Sequence, residues 1–385
     1  MSLPIATHRP CLGADELSAV ERVFASGWLG QGNVSQAFEE ALRARLGVGH
    51  VVAVSSGTAA LHLALEALDL PESSGVLVPS LTFVASIQAI LAARLRPVFC
   101  EIDPETLQLD LDDTRMRLTA ARASNTGAPR PRVVMPVHFG GASCDMQALQ
   151  SLADEQGLLV VEDAAHAFGS SSGGRALGTF GAAGCFSFDP IKTITCGEGG
   201  AVATSREDLA ARLRQARCLG ITADGWSRHT GTAWRYDVQG QGWRYHLPNL
   251  NAAIGLAQLP RLDEFRTRRQ EIVRRYDAAL RPLAGVTPLT RPRPDTCPFT
   301  FVVRVGNGRR DALMAHLRAA GIGTSVEYIP NHLHQAFAAY RTALPATEQA
   351  FAEILSLPLH AGLSDEDVTA VVCAMRAFFA DGDES

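Results

Sequence analysis

Long hydrophobic runs and targeting signals are missing from this chain of 385 residues. No apolar stretch approaches the roughly 20 residues that a membrane-spanning helix needs. The first 13 residues, MSLPIATHRPCLG, lack the charged start and the apolar core of a secretory signal peptide. We therefore expect no membrane association and no export, and the predicted location is the cytoplasm.

Cysteine pairs and a strong excess of charge are also missing. The eight cysteines are scattered and none forms a Cys-x-x-Cys pair, which argues against a zinc site or a disulfide framework. The net charge of −5 gives no reason to expect nucleic acid as a partner. The arginine-rich stretch RTRRQEIVRR has acidic residues in and around it and is interpreted as a solvated helix face. We predict neither a metal site nor a nucleic-acid partner.

The composition that is present indicates a large globular protein. The chain is 46% hydrophobic and 19% charged, with 34 glycines, so it can bury a sizeable core. Short apolar runs alternate with amphipathic segments, and this order predicts an α/β fold with a mostly parallel sheet between helices. We predict a large domain over residues 1–255 and a smaller C-terminal α/β domain over residues 256–385. Residues 221–247 interrupt the alternation with a long Gly-, Trp- and Arg-rich loop, which is typical of a functional or interface segment.

The first chemical motif is SSGTAALHLAL, where a short apolar strand is followed by a helix. Ser56, Gly57 and Thr58 fall at this junction. The free N–H groups and the positive dipole end of a helix N-terminus can bind phosphate, and the Thr58 hydroxyl adds a donor. An ordinary helix N-cap is the alternative. The stretch contains neither a Walker loop nor a Gly-x-Gly-x-x-Gly motif.

The second motif is LLVVEDAAHAFGS, in which Glu162 and Asp163 directly follow four apolar residues. A carboxylate at the end of a buried strand needs a partner. It could cap the next turn, or it could face a protonated heteroaromatic nitrogen of a ligand. His166 follows three residues later and could bind the same ligand, although a structural role is the alternative for a single histidine.

The third motif is FSFDPIKTITCGEGG, which contains Lys192 a few residues after Ser187. A lysine in a pocket of low polarity has a lowered pKa and becomes a usable nucleophile. The alternative is a lysine whose head reaches water. Together, a phosphate cup, a strand-terminal Asp163 and a buried Lys192 are what pyridoxal 5'-phosphate (PLP) requires: a lysine for the Schiff base, a carboxylate for the pyridine nitrogen and donors for the phosphate. We expect the glycines at 197, 199 and 200 to let the backbone pass close to the cofactor.

The sequence also resembles the DegT/DnrJ/StrS-type nucleotide-sugar aminotransferases, PLP-dependent transferases of fold type I. The resemblance covers nearly the whole chain. It rests on the motifs SGWLGQG, SSGTAALHLAL, PSLTFVAS, HFGGASCDMQAL, VVEDAAHAFGS, GCFSFDPIKTITCGEGGAV, YHLPNLNAAIGLAQLPRL and EILSLPLHAGLSDEDV.

The resemblance implies a role for each matching residue. Lys192 would carry the cofactor and move protons, Asp163 would pair with the pyridine nitrogen, and His166 would lie near the phenolic oxygen. The expected cofactor contacts also include a ring-stacking Phe83 and phosphate-binding Ser56, Gly57, Thr58 and Ser187. Trp28 would lie on the substrate side.

The resemblance further implies a homodimer whose active sites are completed by a loop of the partner. Where many relatives have Gly-Tyr-Asn-Tyr-Arg, this chain has GWRYHL, so Arg244 and His246 stand in the places of the usual Asn and Arg. Arg244 could still pair with phosphate, and His246 could contact it too. The preceding region, with Trp226, Trp234 and Arg235, is expected to shape the sugar-nucleotide site.

A second departure lies in GIGTSVEYIPNHLHQAF, where relatives often have His-Tyr-x-Pro-Leu-His. Glu327 replaces the first histidine and Asn331 replaces the leucine, whereas Tyr328 and His332 remain. These residues are expected to approach the sugar, with packing under the small domain as the alternative for His332.

The resulting prediction is an aminotransferase that moves an amino group from L-glutamate, with glutamine as the alternative donor, through pyridoxamine phosphate (PMP), to a keto-deoxysugar nucleotide. A 4-keto-6-deoxyhexose giving a 4-amino sugar is the first expectation. The alternatives are a 3-keto sugar, a keto-cyclitol, or a homologue with a regulatory role and no catalysis. A dehydratase of the same superfamily is disfavoured, because those known to us replace the lysine with histidine. The nucleotide and the pathway stay open.

Overall fold

The computed structural model describes residues 4–123, 130–222 and 235–380. Its strands are β1 (His50–Val54), β2 (Gly75–Pro79), β3 (Arg96–Cys100), β4 (Pro131–Val134), β5 (Leu159–Asp163), β6 (Ser171–Ser172), β7 (Arg175–Ala176), β8 (Ala183–Ser187), β9 (Gly200–Thr204), β10 (Val286–Pro288), β11 (Phe301–Val305) and β12 (Ile354–Leu357). Its α-helices are α1 (Ala14–Ser26), α2 (Asn33–Leu46), α3 (Gly57–Ala67), α4 (Val84–Ala92), α5 (Leu111–Ala123), α6 (Met146–Gln156), α7 (Glu207–Ala216), α8 (Asn249–Gln258), α9 (Leu262–Leu280), α10 (Arg310–Ala319), α11 (Pro345–Glu353) and α12 (Asp365–Ala380).

A seven-stranded sheet forms the centre of the fold, in the order β1-β9-β8-β5-β4-β2-β3. Strand β9 is antiparallel to both of its neighbours, and every other neighbouring pair is parallel. The predicted mixed α/β fold with a mostly parallel sheet is therefore confirmed.

Side chains that alternate along each strand enter two different cores. Val51 and Ala53 of β1 belong to the core on one face of the sheet, whereas Val52 and Val54 belong to the core on the other. Strands β2, β8 and β9 are buried at every position. Helices thus cover both faces of the sheet, which explains why these strands are apolar runs and not alternating sequences.

Glycine or proline marks the ends of several helices. The C-cap residues of α1 and α2 are Gly27 and Gly47, both in the left-handed conformation that is common at a helix C-terminus. α8 ends at Gln258, and a 3₁₀ turn over Leu259–Arg261, which contains Pro260, joins it to α9.

The C-terminal part has its own sheet and its own core. Strands β10, β11 and β12 form an antiparallel sheet. Apolar residues of α9, α10 and α12 pack on it, among them Ile272, Leu313 and Val371. These elements fall within residues 256–385, over which we predict the smaller domain.

The N-terminal segment belongs with this small unit in space. Ile5 pairs with Ile322, and the carbonyl of Thr7 accepts from the N–H of Leu359 at 3.0 Å. The segment that begins at Ile5 therefore lies against the C-terminal part of the chain, although the predicted large domain spans residues 1–255. Hydrogen bonds to residues far along the chain hold it there, and a local pattern carries no sign of such pairing.

None of the helices in the described ranges is long and apolar enough to cross a membrane. No group of three or more His, Cys, Asp or Glu side chains within those ranges could hold a metal ion.

Candidate active site

A cavity of about 230 Å³ lies where several strands of the large sheet end. Its lining includes Ser56 after β1, Thr82 and Phe83 after β2, Asp163 at the end of β5 and Ser187 at the end of β8. The carboxyl ends of parallel strands meet at one edge of a sheet, and ligands of open α/β sheets bind there. Motifs that are 25 to over 100 residues apart in the sequence are thus brought into one site.

The N-terminus of α3 forms one wall of this cavity. Ser56 is the N-cap residue, and its Oγ accepts from the N–H of Ala59 at 3.1 Å. The next N–H groups, those of Gly57 and Thr58, have no acceptor within an α-helix. A Cβ on Gly57 would lie only 2.8 Å from the Cβ of Ser187, so glycine allows the helix end to approach β8. Ser56 thus caps the helix, and phosphate binding by the free N–H groups beside it stays a prediction.

Asp163 lies at the base of the cavity and is buried. Its Oδ2 accepts from the hydroxyl of Ser86 at 2.7 Å, and its Oδ1 accepts from the N–H of Ala165 at 3.1 Å. Burial raises the pKa of Asp163, and these hydrogen bonds together with the nearby Lys192 partly oppose the rise. A cationic partner in the cavity would favour the ionised carboxylate.

Glu162, the neighbouring carboxylate, points to the other side of the strand. It is fully buried; its Oε2 accepts from His138 Nε2–H at 2.9 Å and from the N–H of Gly178 at 2.7 Å. Its Oε1 accepts from the N–H of Gly181, also at 2.7 Å. Successive side chains of a strand point to opposite faces, so Glu162 organises a loop whereas Asp163 faces the cavity.

Lys192 lines the same cavity, and its ammonium lies 4.5 Å from the ring centroid of Phe299. Burial lowers the pKa of Lys192, although Asp189, Asp163 and Glu327 act in the opposite direction. Lys192 is also the only lysine among the 385 residues, beside 34 arginines. The cavity thus holds the one primary side-chain amine of the protein, in surroundings that favour its neutral form.

His166 lies between a backbone donor and a phenol. Its Nδ1 accepts from the N–H of Gly140 at 3.4 Å, and its Nε2 lies 3.1 Å from the hydroxyl of Tyr328. The imidazole stacks on Phe299 with ring centroids 4.1 Å apart. Burial, followed by the charge of Lys192, holds the pKa of His166 well below its usual value, so the ring is neutral.

Phe83 stands at the mouth of the cavity. It is the N-cap residue of α4, and 54% of its surface is exposed. Its ring centroid lies 5.4 Å from that of Tyr328. A large aromatic side chain left this exposed beside a cavity is available to stack on a planar ligand.

Several predicted site residues lie away from this cavity. Trp28 donates its indole N–H to the carbonyl of Gln31 at 2.7 Å, in the loop before α2. Arg244 is exposed and His246 is half-buried, on a segment that pairs with Cys218 and Val54. Trp226 and Trp234 fall outside the described residues, and Arg235 is exposed.

Two residues of the second departing motif also lie outside the lining. His332 is buried, with Nδ1 2.7 Å from Ser80 Oγ and Nε2 3.1 Å from Glu348 Oε1. This arrangement favours the packing alternative for His332. Asn331 is fully buried, and its amide donates to the carbonyls of Ser80 and Thr82. Both residues attach the small unit to the loop after β2, whereas Glu327 and Tyr328 line the cavity.

The glycines after Lys192 act differently from the expectation. Gly197, Gly199 and Gly200 are not among the described residues that line the cavity. A Cβ on Gly200 would lie 2.3 Å from the carbonyl oxygen of Ser56. Glycine is therefore needed there for β9 to approach the turn before α3, and its effect on the site is indirect.

Three residues of the site carry no assignment from the sequence. Ser86 lies one helical turn after Phe83, so its proximity to a ligand-facing residue is a signal that could have found it. Phe299 lies 107 residues after Lys192 and His8 lies 48 residues before Ser56, and no local pattern marks either of them.

Comparisons with known proteins agree with this geometry. The model of the DegT/DnrJ/EryC1/StrS aminotransferase family matches residues 10–376. The aminotransferase TlmJ from Streptoalloteichus hindustanus is 37% identical with a TM-score of 0.89, over 98% of this chain and 99% of that one. The sugar aminotransferase CalS13 from Micromonospora echinospora is 34% identical with a TM-score of 0.86, over 97% and 99%. Spr1654 from Streptococcus pneumoniae in its PMP form is 25% identical with a TM-score of 0.90, over 98% and 99%.

The residues of the cavity fit PLP, the cofactor of this family. The cavity offers an amine at Lys192, a buried carboxylate at Asp163 and a helix N-terminus that only glycine at position 57 leaves open. The chain belongs to the DegT/DnrJ/EryC1/StrS aminotransferase family, as its motifs predict, and is a PLP-dependent sugar aminotransferase.

Proposed function

We propose that this enzyme transfers the amino group of L-glutamate, by way of PMP, to a keto-deoxysugar nucleotide. The proposed acceptor is a 4-keto-6-deoxyhexose, which would become a 4-amino sugar. The observation that carries the proposal is the single cavity in which Lys192, Asp163 and the N-terminus of α3 meet. The similarity to a sugar aminotransferase, CalS13, supports a sugar as the acceptor.

Each residue of the cavity has a chemical role in this proposal. PLP, when bound, supplies an electron-withdrawing ring next to the reacting carbon. Asp163 keeps a positive charge opposite its carboxylate, because a buried anion is stabilised by a cation at close range. Lys192, whose pKa burial lowers, accepts a proton at Nζ and returns it. His166 is neutral and donates through Nε2–H toward Tyr328.

We further propose that the phosphate lies at the N-terminus of α3. The N–H groups of Gly57 and Thr58, with the hydroxyls of Ser56 and Ser187, surround that space. Helix N-termini bind phosphate through such unpaired N–H groups and through the helix dipole. Phe83 would stack on the cofactor ring from the cavity mouth.

A homodimer with shared active sites is part of the proposal. Arg244 and His246 lie on a segment beside the end of β1, since the N–H of Ser55 donates to the carbonyl of Tyr245 at 2.7 Å. Neither side chain lines the cavity of its own chain. We assign both to the cavity of the partner subunit, with Arg244 as a phosphate ligand, and Trp28 to the substrate side.

The proposal is tested with two separate half-reactions of the purified holoenzyme. L-glutamate alone should change the visible absorbance of the cofactor and release 2-oxoglutarate. A panel of keto-deoxysugar nucleotides and a keto-inositol, each added with glutamate and followed by mass spectrometry, should show amine transfer to a 4-keto-6-deoxyhexose nucleotide. Transfer to a 3-keto sugar or to the keto-inositol would replace that acceptor, and the absence of any change with glutamate would refute glutamate as the amino donor.

A further inference from the structure

Glu327 is a buried carboxylate that lines the cavity yet has no role in the chemistry described above. Its Oε1 accepts from His8 Nε2–H at 2.9 Å and from the hydroxyl of Ser325 at 3.1 Å. Its Oε2 accepts from the hydroxyl of Ser356 at 3.3 Å. The side chain is only 6% exposed, so the remaining surface is small and belongs to the cavity.

The hydrogen bonds leave one acceptor position open. An ionised carboxylate offers about four lone-pair positions to donors. Two positions on Oε1 and one on Oε2 are filled, and a second position on Oε2 is left. Burial would raise the pKa of Glu327, but the hydrogen bond from His8 and the other nearby donors and cations bring it below its usual value. The ionised carboxylate of Glu327 can therefore accept one further hydrogen bond at Oε2, from a donor on a ligand.

The adjacent Tyr328 offers a hydrogen-bond donor, whereas Glu327 offers an acceptor. His166 receives the N–H of Gly140 at Nδ1, so its own proton is on Nε2 and is donated to the hydroxyl of Tyr328. The phenol then has its own O–H hydrogen left to donate. Two neighbouring residues thus present an acceptor and a donor to the same cavity, the pair that one alcohol group can satisfy.

His8 is held rigidly beneath this pair. Ile5 is hydrogen-bonded to Gly321 and Gly323, and Thr7 is hydrogen-bonded to Leu359. The imidazole of His8 lies parallel to the ring of Phe299, with centroids 5.0 Å apart and an angle of 7° between the planes. The Nε2–H of the ring donates to Glu327 Oε1, so His8 fixes the direction of that carboxylate.

We propose that Glu327 determines acceptor specificity by accepting a hydrogen bond from one hydroxyl group of the keto sugar, and that His8 is its positioning residue. This inference rests on the proposed function and names a contact within the same site. L-glutamate has no hydroxyl group that could donate to this carboxylate. The contact is therefore specific to the second half-reaction, in which the sugar occupies the cavity.

The test compares Glu327→Gln with Glu207→Gln in the holoenzyme. Glu207 also pairs with a histidine, His50 at 2.9 Å, but it is exposed at the start of α7 and outside the cavity lining. Loss of a hydrogen bond to a charged group should raise KM for the sugar nucleotide about 10- to 100-fold in Glu327→Gln. The glutamate half-reaction should lose much less than the sugar half-reaction in Glu327→Gln, and Glu207→Gln should change neither.

The hydroxyl is identified with the wild-type enzyme and singly deoxygenated sugar nucleotides. With the wild-type enzyme, removal of one particular hydroxyl should lower kcat/KM about as much as Glu327→Gln lowers it for the full substrate. The Glu327→Gln variant should have about the same kcat/KM for that analogue and for the full substrate. His8→Gln should raise KM by about threefold to tenfold with kcat retained, and it should add nothing in the double variant with Glu327→Gln.

Specific outcomes overturn the inference. Wild-type KM in Glu327→Gln, or equal losses in both half-reactions, would mean that Glu327 acts on Lys192 or on packing and not on the sugar. If the variant does not fold, undiminished turnover of every deoxygenated analogue by the wild-type enzyme refutes the contact. Failure of the wild-type glutamate half-reaction would refute the proposed function instead, which keeps the two conclusions separate.

Discussion

At the scale of single residues, adjacent carboxylates have different roles because a strand sends them to opposite sides. Glu162 is surrounded by His138 and two backbone N–H groups, whereas Asp163 borders the cavity. Lys192 completes the site from the turn after β8. Lys192 is the only lysine of the sequence, so no second lysine side chain competes with it for an amine-specific reagent.

Replacement of Lys192 by alanine should abolish catalysis. The variant loses the amine that binds the cofactor and moves protons, so we expect turnover below about one thousandth of wild type. Borohydride reduction of the wild-type holoenzyme should add the mass of the cofactor to the peptide that contains Lys192, and the variant should show no such mass. Turnover close to wild type in Lys192→Ala would contradict the assignment.

Replacement of Asp163 by asparagine should separate stability from function. Burial raises the pKa of Asp163 in the folded chain without cofactor, so the folded state binds more protons than the unfolded state between the two pKa values. The contribution of Asp163 to stability therefore falls as the pH rises through that interval. Asp163→Asn should stabilise the apoenzyme by about 1 kcal/mol at neutral pH and by less near pH 4, while its transaminase activity collapses.

Thermal unfolding of the two apoenzymes across pH measures this difference. A variant that is less stable than wild type at every pH would show that the Ser86 and Ala165 hydrogen bonds outweigh the burial of the charge. Unchanged activity in the holoenzyme of Asp163→Asn would argue against its pairing with the cofactor.

At the scale of elements, the position of α3 against β8 shapes the proposed phosphate cup. Gly57 and Ser187 are in contact where the helix begins and the strand ends, and a Cβ at position 57 would come within 2.8 Å of the Cβ of Ser187. The helix would have to move away from the strand, since backbone and β-carbons at both positions cannot swing aside. The cup would then lose its shape even though its donors remain.

Gly57→Ala should therefore weaken PLP binding more than it weakens the fold. An overpacked contact costs about 1–3 kcal/mol, and we expect the Kd for PLP to rise about 5- to 150-fold. Equilibrium titration of the apoenzyme, followed by cofactor absorbance, measures this Kd. Gly306→Ala is the matched control, because no atom lies within 4 Å of a Cβ built there. Equal Kd values for the two variants would contradict the role of the close approach at position 57 in PLP binding.

At the scale of the whole molecule, the cavity lies between two units. The strand ends of the large sheet supply Ser56, Asp163 and Ser187, and the small unit supplies Glu327 and Tyr328. An apolar cluster that includes Leu81, Phe139 and Val302 joins the two units next to the site. The fold thus couples the packing between the units to the shape of the substrate pocket.

Mixed dimers test whether the partner subunit completes the site. Lys192→Ala and Arg244→Ala are each expected to be impaired as homodimers. Random exchange makes half of the dimers mixed, and one of the two sites in a mixed dimer has both native residues, so activity should recover to roughly a quarter of wild type. Turnover of the co-expressed variants measures this recovery. No gain over the separate variants, or full activity of Arg244→Ala alone, would contradict the shared site.

The sequence by itself determined the α/β fold and the residues that follow the strands. Lys192, Asp163 and Ser56 were found because each lies within a few residues of a buried strand, and the carboxyl ends of parallel strands necessarily meet at one edge. Only the tertiary structure decided that His8, Phe299 and Glu327 form one stacked and hydrogen-bonded group beside them. These residues come together through contacts across about 300 residues of chain. A local pattern carries periodicity and turn chemistry, but it does not carry the packing between distant segments.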